Sequence, residues 1–423
     1  MTIGIIGGGA AGMAAALAAA EYENAQIVLM ERQARLGRKL SATGNGRCNL
    51  SNVHASQGGY HGDDPHFHEY ALSQYPPGET LQWFSGLGLY TVTEASGKVY
   101  PYSDQANSVV DVLRFSLDHP NIRVLTDFEV MKVKKDADRF LVTAKDRTLE
   151  FDKLIIACGG LAGTKLGGTM SGYKLLRSFG HKCTRLRPTL VQVKTSWPGV
   201  SALKGVRANC RAGIYHNGVL HRESVGEIQF TEFGLSGPVI YEISRDACQG
   251  GGEWECRLDF LPDLSAQSLS DALMMKRNLG LTAEDLFTGI LHNRLGRVIV
   301  KEAGIKANTS IFHLYDTQLK DVISLAKGFT VTLTEPLGMD AAQVTAGGIV
   351  TNEFDPTTME SKLVPGLYAC GEVLDVDGDC GGYNLQWAWS SGRLAGRSAG
   401  KEAHDQNPRY LPAAPAQCEP ALL

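Results

Sequence analysis

Thr2-Ile3-Gly4-Ile5-Ile6-Gly7-Gly8-Gly9-Ala10-Ala11-Gly12 opens with a short apolar run, turns on glycine and continues in alanine to Ala20. This order predicts a strand, a tight turn and a helix. Gly7-x-Gly9-x-x-Gly12 falls on the turn. Gly7 suits the tight bend, Gly9 lets backbone approach a pyrophosphate, and Gly12 allows close helix packing. The N–H groups around Ala10 and Ala11 then face the phosphates with the positive end of the helix dipole. Gln26 to Met30 reads as a second strand ending in Glu31, nineteen residues after Gly12. A carboxylate there accepts bonds from both ribose hydroxyls of an adenosine. Arg32 follows it directly.

The fingerprint serves NAD and FAD alike, and two further stretches favour FAD. Arg35-Leu-Gly37-Arg38-Lys39-Leu-Ser41-Ala-Thr43-Gly44-Asn45-Gly46-Arg47-Cys48-Asn49 is a polar, glycine-rich loop whose cations suit a pyrophosphate. More than 330 residues beyond Gly12, the strand-like run to Ala369 ends in Gly371-Glu372, which suits a ribityl chain. Asp379-Cys380-Gly381-Gly382-Tyr383-Asn384-Leu385-Gln386 then begins a helix whose N–H groups suit the flavin pyrimidine edge. No second strand–GxGxxG–helix unit is present, so a nicotinamide cofactor, NAD(P)H, is expected to visit the flavin transiently.

These stretches, together with Lys98-Val-Tyr-Pro-Tyr-Ser-Asp104 and Gly226-Glu-Ile-Gln-Phe-Thr-Glu-Phe-Gly-Leu-Ser-Gly-Pro238, resemble the BaiN/YhiN-like bacterial flavoproteins over nearly the whole chain. The resemblance implies an α/β fold: a discontinuous Rossmann-like FAD-binding domain carrying an inserted β-barrel-like domain with a small helical insert. It also implies reduction of conjugated double bonds in 3-oxo bile acids, or oxidation of small amino ketones.

The pattern along the chain divides in the same way. Residues 1–188 and 338–423 are expected to form the FAD-binding domain, 189–260 and 326–337 the β-rich barrel, and 261–325 the helical insert. Strand-like runs are expected at Ile122 to Leu125, Glu129 to Lys134 (with Val130 beside the cofactor), Arg139 to Ala144 and Leu154 to Ala157. The last of these leads into Cys158-Gly159-Gly160 at the cofactor. After Pro188, Val206 to Tyr215, Val219 to His221 and Gly226 to Thr231 read as short strands. Ser270 to Leu279 and Thr282 to Leu295 read as helices, as does a last helix from Asn384 to Ala403. The tail after Gln406 is expected to fray.

The expected cofactor set is thus Gly7, Gly9, Ala10, Ala11, Gly12, Glu31 and Arg32 at the adenosine end, with Val130. The polar loop adds Arg38, Lys39, Thr43, Gly44, Gly46, Arg47, Cys48 and Asn49. Cys158, Gly159, Gly160, Gly371, Glu372, Asp379, Gly381, Gly382, Tyr383, Asn384, Leu385 and Gln386 complete it. Flavin chemistry asks of the protein chiefly a proton donor and a charge near the substrate carbonyl. Arg47 is the catalytic candidate, with phosphate pairing as its other reading. Tyr100, Tyr102 and Tyr383 are possible proton donors. Cys48 and Cys380 read as inert, Trp387 and Trp389 as core, and His61, His66 and His68 as a solvated loop without a metal. The loop Leu161-Ala-Gly-Thr-Lys-Leu-Gly-Gly-Thr169 is expected to touch substrate.

The remaining figures narrow the class. A formal net charge of −4 over 423 residues offers no basic field for nucleic acid. No run of 18 apolar residues suggests a membrane span. The small apolar N-terminus lacks the charged region of a signal peptide. Nine dispersed cysteines, none in a Cys-x-x-Cys pair, suit a reducing cytoplasm. The expectation is therefore an FAD-dependent oxidoreductase acting on a small molecule, preferably reducing an α,β-unsaturated carbonyl with NAD(P)H. An amine or amino-ketone oxidase, and a flavoprotein tied to RNA modification or without catalysis, are the alternatives.

Overall fold

A computed structural model describes residues 1–145 and 147–401. Strand β1 (Thr2–Ile6), helix α1 (Ala10–Ala20), and strands β2 (Gln26–Met30), β3 (Ile122–Leu125) and β4 (Lys153–Ile156) come first. Strands β5 (Val193–Thr195), β6 (Arg207–His216), β7 (Val219–Phe230) and β8 (Gly234–Ser236), helix α2 (Pro238–Ser244) and strand β9 (Trp254–Asp259) follow. Helices α3 (Ala266–Met274), α4 (Asn293–Glu302) and α5 (Asp316–Lys327) precede strands β10 (Phe329–Pro336) and β11 (Leu367–Ala369) and helix α6 (Tyr383–Lys401).

The first core is a five-stranded parallel sheet in the order β11-β4-β1-β2-β3. β1 is central, and its Ile3 and Ile5 are fully buried, as a doubly covered parallel strand requires. The fold is Rossmann-like. Strand β11 joins this sheet although some two hundred residues separate it from β4, so the α/β unit is discontinuous in sequence.

Helix α1 is almost all alanine and is buried nearly all round. It packs against α6 so closely that a Cβ on Gly392 would sit 2.4 Å from the Ala11 carbonyl oxygen, and one on Gly396 2.2 Å from that of Ala15. Small residues on both helices bring the C-terminal helix onto the first one. This contact carries the two distant halves of the fingerprint to one place.

Strands β5-β8-β7-β6-β9-β10 close a six-stranded barrel, none of whose strands enters the parallel sheet. Its inward side chains, among them Cys210, Ile214, Ile228, Phe230, Cys256 and Leu258, form a second core. Helices α3, α4 and α5 stand between β9 and β10 in the chain and share that core through Leu273, Ile299 and Val322.

Local expectations differ from the structure in a few places. Val219–Phe230 is one twelve-residue strand rather than two short ones, because Gly226 lies within the ladder opposite Cys210 and does not turn the chain. Thr282 to Leu295 is not a helix. A 3-10 turn spans Ala283–Asp285, Gly289 takes φ +83°, and α4 starts only at Asn293. Apolar Leu286 and Phe287 imitate a helical face there, but both are core contacts of a compact loop. The strand expected from Glu129 begins at Lys132. The expected end of the last helix at Ala403 and the tail after Gln406 lie outside the described residues.

Candidate active site

A single cavity of about 950 Å³ begins beside Glu31, follows the N-terminus of α1 and ends against the barrel. That volume is at the upper end of the roughly 300–1,000 Å³ usual for ligand sites.

Steric contacts explain the glycines at its first end. Gly7 has φ +114°, and a Cβ there would lie 2.3 Å from the Ala157 carbonyl oxygen. A Cβ on Gly12 would fall 1.8 Å from the Gly7 oxygen, so Gly12 acts inside the turn and does not border the cavity. Gly9 has nothing within 4 Å of such a Cβ, which leaves open space where backbone meets the cavity. Helix α1 begins without a side-chain cap or an acidic residue in its first turn, so its N–H groups remain available to an anion. Glu31 ties this turn together: Oε2 accepts from Gly8 N at 2.8 Å and Oε1 from Gln33 N at 2.8 Å. Arg32, Val130, Cys158 and Gly159 also line the cavity, and Gly160 lines it beside Glu372, whose Oε1 a Cβ there would meet at 2.6 Å. Burial pushes the Cys158 thiol up to about 12, so it stays neutral.

The polar loop is a 3-10 run over Leu40–Gly46, with Gly44, Asn45, Gly46 and Cys48 all at positive φ. Its closing bonds, Arg47 N to Gly44 O at 3.2 Å and Cys48 N to Thr43 O at 3.0 Å, fold it back on itself. Arg38, Lys39, Thr43, Gly44, Arg47 and Asn49 border the cavity, whereas Gly46 and the fully buried Cys48 do not. Arg47 already has partners within the protein. Its guanidinium stacks 4.1 Å over Tyr100 and pairs with Asp104 at 2.5 Å and Glu94 at 3.2 Å.

At the far end, Lys39 Nζ meets Glu372 Oε2 at 2.8 Å, and Thr345 N donates to Glu372 Oε1 at 2.8 Å. Gly371, before Glu372, takes φ +74°. Gly381 and Gly382 take φ +106° and +104°, and a Cβ on Gly382 would lie 2.2 Å from the Ser51 oxygen. Asn384 clamps this turn by accepting from Gly378 N at 2.8 Å and donating to Gly378 O at 2.7 Å. Asn49 Oδ1 is buried without a partner beside Gly382, as expected for a group that meets a ligand.

The donor set therefore fits FAD along the cavity: a carboxylate at the adenosine end, an open helix N-terminus with Arg38 and Lys39, and a glycine turn with an unpaired amide oxygen. Besides Gly12, Gly46 and Cys48, three expected members stand apart. Gln386 is fully buried in an internal network with Ser51, Tyr75, Thr80 and Ser390. Asp379 and Tyr383 do not border the cavity. Asp379 instead pairs with His61 at 2.8 Å, and the Tyr383 carbonyl oxygen accepts from Tyr60.

The loop after Gly160 runs from Ala162, whose N–H donates to Thr345 Oγ1 at 2.9 Å beside Glu372, to Gly167 at the adenosine end. Arg32 donates to Gly167 O at 3.0 Å, and a Cβ on Gly167 would lie 2.4 Å from Gln33 Nε2. These contacts set its Gly167 turn beside Arg32 and Gln33. Tyr102 is exposed and away from the cavity, whereas Tyr100 lines it. Trp389 is core, and Trp387, also buried, reaches the cavity and donates to Gly371 O at 3.2 Å. His66 pairs with Glu69, and His68 lies against Tyr60.

Sequence reasoning missed the opposite wall. Lys98 reaches in from the strand Lys98–Pro101. The barrel contributes Arg207, Glu227, Gln229, Gly237, Pro238 and Tyr241. Glu227 and Gln229 alternate on β7, so period-two spacing in the Gly226-to-Pro238 stretch could have shown them sharing a face.

A Rossmann-type dinucleotide site whose far end is closed by a barrel defines an FAD-dependent oxidoreductase. Within that class, the chain belongs to the family described as HI0933-like protein Rossmann domain, whose model matches residues 1–398. It is 40% identical over 403 residues to the 3-dehydro-bile acid delta(4,6)-reductase of Clostridium scindens, covering 94% of this chain and 98% of that protein. It is 32% identical over 392 residues to the ribosomal RNA dihydrouridine synthase of Escherichia coli, covering 92% and 95%. Among solved structures it resembles the 3-ketosteroid delta1-dehydrogenase of Sterolibacterium denitrificans, with a TM-score of 0.51 and 12% identity over 95% of this chain and 100% of that one. At that identity the likeness concerns the fold alone. No helix among the described residues is long and apolar enough to cross a membrane.

Proposed function

We propose that the protein saturates a carbon–carbon double bond conjugated with a carbonyl, with NAD(P)H as the reductant and a small 3-oxo steroid-like molecule as the substrate. The observation that carries this reading is a cavity lined jointly by Lys98, Tyr100 and the Gly381-Gly382 turn of the cofactor-binding part and by Tyr241 of the barrel. The 40% identical bile-acid reductase supports it.

In this reading Glu31 holds the adenosine ribose, the α1 N-terminus with Arg38 and Lys39 holds the pyrophosphate, and Glu372 holds the ribityl chain. Asn49, Gly381, Gly382, Asn384 and Leu385 hold the flavin edge. The bound flavin supplies a hydride. The protein's own part is to place a positive charge by the carbonyl oxygen, exclude water and provide a proton. Lys98, which lines the cavity, is the candidate for the charge, since Arg47 is already paired with Asp104 and Glu94.

A second reading takes the same bond in a uracil base. Dihydrouridine is uridine with the double bond conjugated to its carbonyl saturated, so the names of both relatives describe one chemistry. Anaerobic mixing with NADH or NADPH should bleach the flavin, and a 3-oxo-4-ene steroid should restore its colour and gain two hydrogens by mass spectrometry. Restoration by unmodified ribosomal RNA alone, with dihydrouridine formed, would move the assignment to RNA. Restoration by neither substrate sinks the reading.

A further inference from the structure

The barrel wall of the cavity carries a charge for which the cofactor has no use. Strands β6 and β7 pair antiparallel, with Arg207 opposite Gln229 and Asn209 opposite Glu227. Between them, Ala208 and Ile228 turn toward the barrel core, where Ile228 is fully buried. Period-two alternation therefore sets Arg207, Glu227 and Gln229 on the outer face, and all three line the cavity. Among the described residues, Arg207 is the only cation that the barrel contributes to that lining. Its Nη1 stands 3.5 Å from Glu227 Oε1, with the two side chains 61% and 42% exposed. An ion pair that long and that wet holds weakly.

We propose that Arg207 is a specificity-determining residue that receives a carboxylate carried by the substrate, and that Glu227 is the internal counter-ion this carboxylate displaces. The inference rests on the proposed reduction of a conjugated ketone and narrows its substrates to acids. A guanidinium fork matches a carboxylate through two parallel N–H···O bonds, a geometry that the 3.5 Å contact with Glu227 lacks. Gln229, directly across the ladder, has an amide N–H to add to the same carboxylate. Once displaced, Glu227 turns its already half-exposed carboxylate to solvent at little cost. A neutral substrate has nothing to exchange for Glu227 and leaves the pair as it stands.

Neighbouring charges leave this role to Arg207. Lys39 is held by Glu372 at 2.8 Å, Arg47 by Asp104 and Glu94, and Arg38 donates to Gln33 at 3.3 Å. On the barrel, Arg211 and Glu223 pair with each other at 3.7 Å, and neither lines the cavity. Charge is thus read on the barrel, while the cofactor-binding part supplies the chemistry. An interaction made equally in the bound substrate and in the transition state lowers KM and leaves kcat alone.

Titration of the FAD-loaded protein with a saturated 3-oxo steroid acid and with its methyl ester, followed by the flavin difference spectrum, reads binding without turnover. Wild type should bind the acid about 10-fold more tightly than the ester. Arg207→Gln should lose that preference by weakening the acid alone, and Arg207→Lys should keep part of it. Glu227→Gln should tighten the acid and not the ester, because it removes the competing carboxylate. With the corresponding unsaturated acid, the loss in Arg207→Gln should fall on KM rather than on kcat. A wild type that binds acid and ester equally, or an Arg207→Gln variant that weakens both alike, overturns the role. So does an Arg207 requirement seen only with a uridine oligonucleotide, whose phosphodiester would then be the anion. An Arg207-dependent preference for the acid, in a protein whose reduced flavin no unsaturated ketone reoxidises, keeps the carboxylate site and overturns the reaction reading alone.

Discussion

Glu31→Ala probes the adenosine end with the fewest confounding effects. The carboxylate holds Gly8 N and Gln33 N, each at 2.8 Å, and so fastens the glycine turn to the segment after β2. Hydrogen bonds to a charged group contribute about 1.5–3 kcal/mol each. Because Glu31 is half-buried, water replaces part of what is lost, and the lower end applies to the turn itself. Losing the acceptor for the two ribose hydroxyls adds a similar amount, and only in the FAD-bound state. A net loss of about 1.5–3 kcal/mol of binding weakens FAD affinity by roughly 10- to 150-fold. Apoprotein titrated with FAD and followed by flavin fluorescence measures this. Glu31→Gln should fall between the two, because it keeps an acceptor but not the charge. If Glu31→Ala purified fully yellow with unchanged affinity, the adenosine ribose would not be at Glu31.

Gly382→Ala should abolish stoichiometric FAD while leaving the barrel folded, because its Cβ would lie 2.2 Å from the Ser51 oxygen at φ +104°; flavin absorbance with circular dichroism reads both. Asp377→Ala leaves Arg245 of the post-α2 turn without its bidentate partner (2.7 and 3.1 Å) and should cost about 3–5 kcal/mol in denaturant unfolding, with Asp377→Leu/Arg245→Met milder. Burial lowers the pKa of His181, which is held between Glu353 and Ser361 at 2.9 Å. The unfolded chain therefore binds the extra proton, so this stability is complete above the ordinary histidine value of about 6.5 and is lost as pH falls below it. Asp375, raised by burial to about 6, acts in the opposite sense: its contribution is present below about 4 and lost as pH rises to about 6. Asp375→Asn should thus steepen the acid-side fall in melting temperature, and His181→Gln should flatten it.

The N-terminal half of the cofactor site is legible in the sequence because strand, turn, helix and carboxylate fall within about thirty consecutive residues, where local spacing reports geometry. Glu31 and the turn from Gly7 to Gly12 lie at the cavity's first end, with Gly12 packed inside the turn. The C-terminal half is legible for another reason: Gly371 and Gly381-Gly382 are glycines in a strand-to-helix connection, and each takes a positive φ. Local spacing misleads where a polar residue near the motif turns inward to serve the scaffold. Gln386 sits in the helix start that was expected to face the flavin, but one turn of α6 carries it into the core, where it satisfies Tyr75 O, Thr80 and Ser51. Asp379, two residues before Gly381, faces His61 and Arg222 for the same reason: a glycine pair reverses the chain between them.

The substrate wall was hidden because it is assembled from segments distant in sequence. Lys98, Gln229, Tyr241 and Cys380 meet only after the barrel docks on the parallel-sheet unit, and no single segment carries more than part of that wall. Chemistry arising where two domains meet leaves little local trace, because neither sequence segment encodes the desolvation that the other imposes.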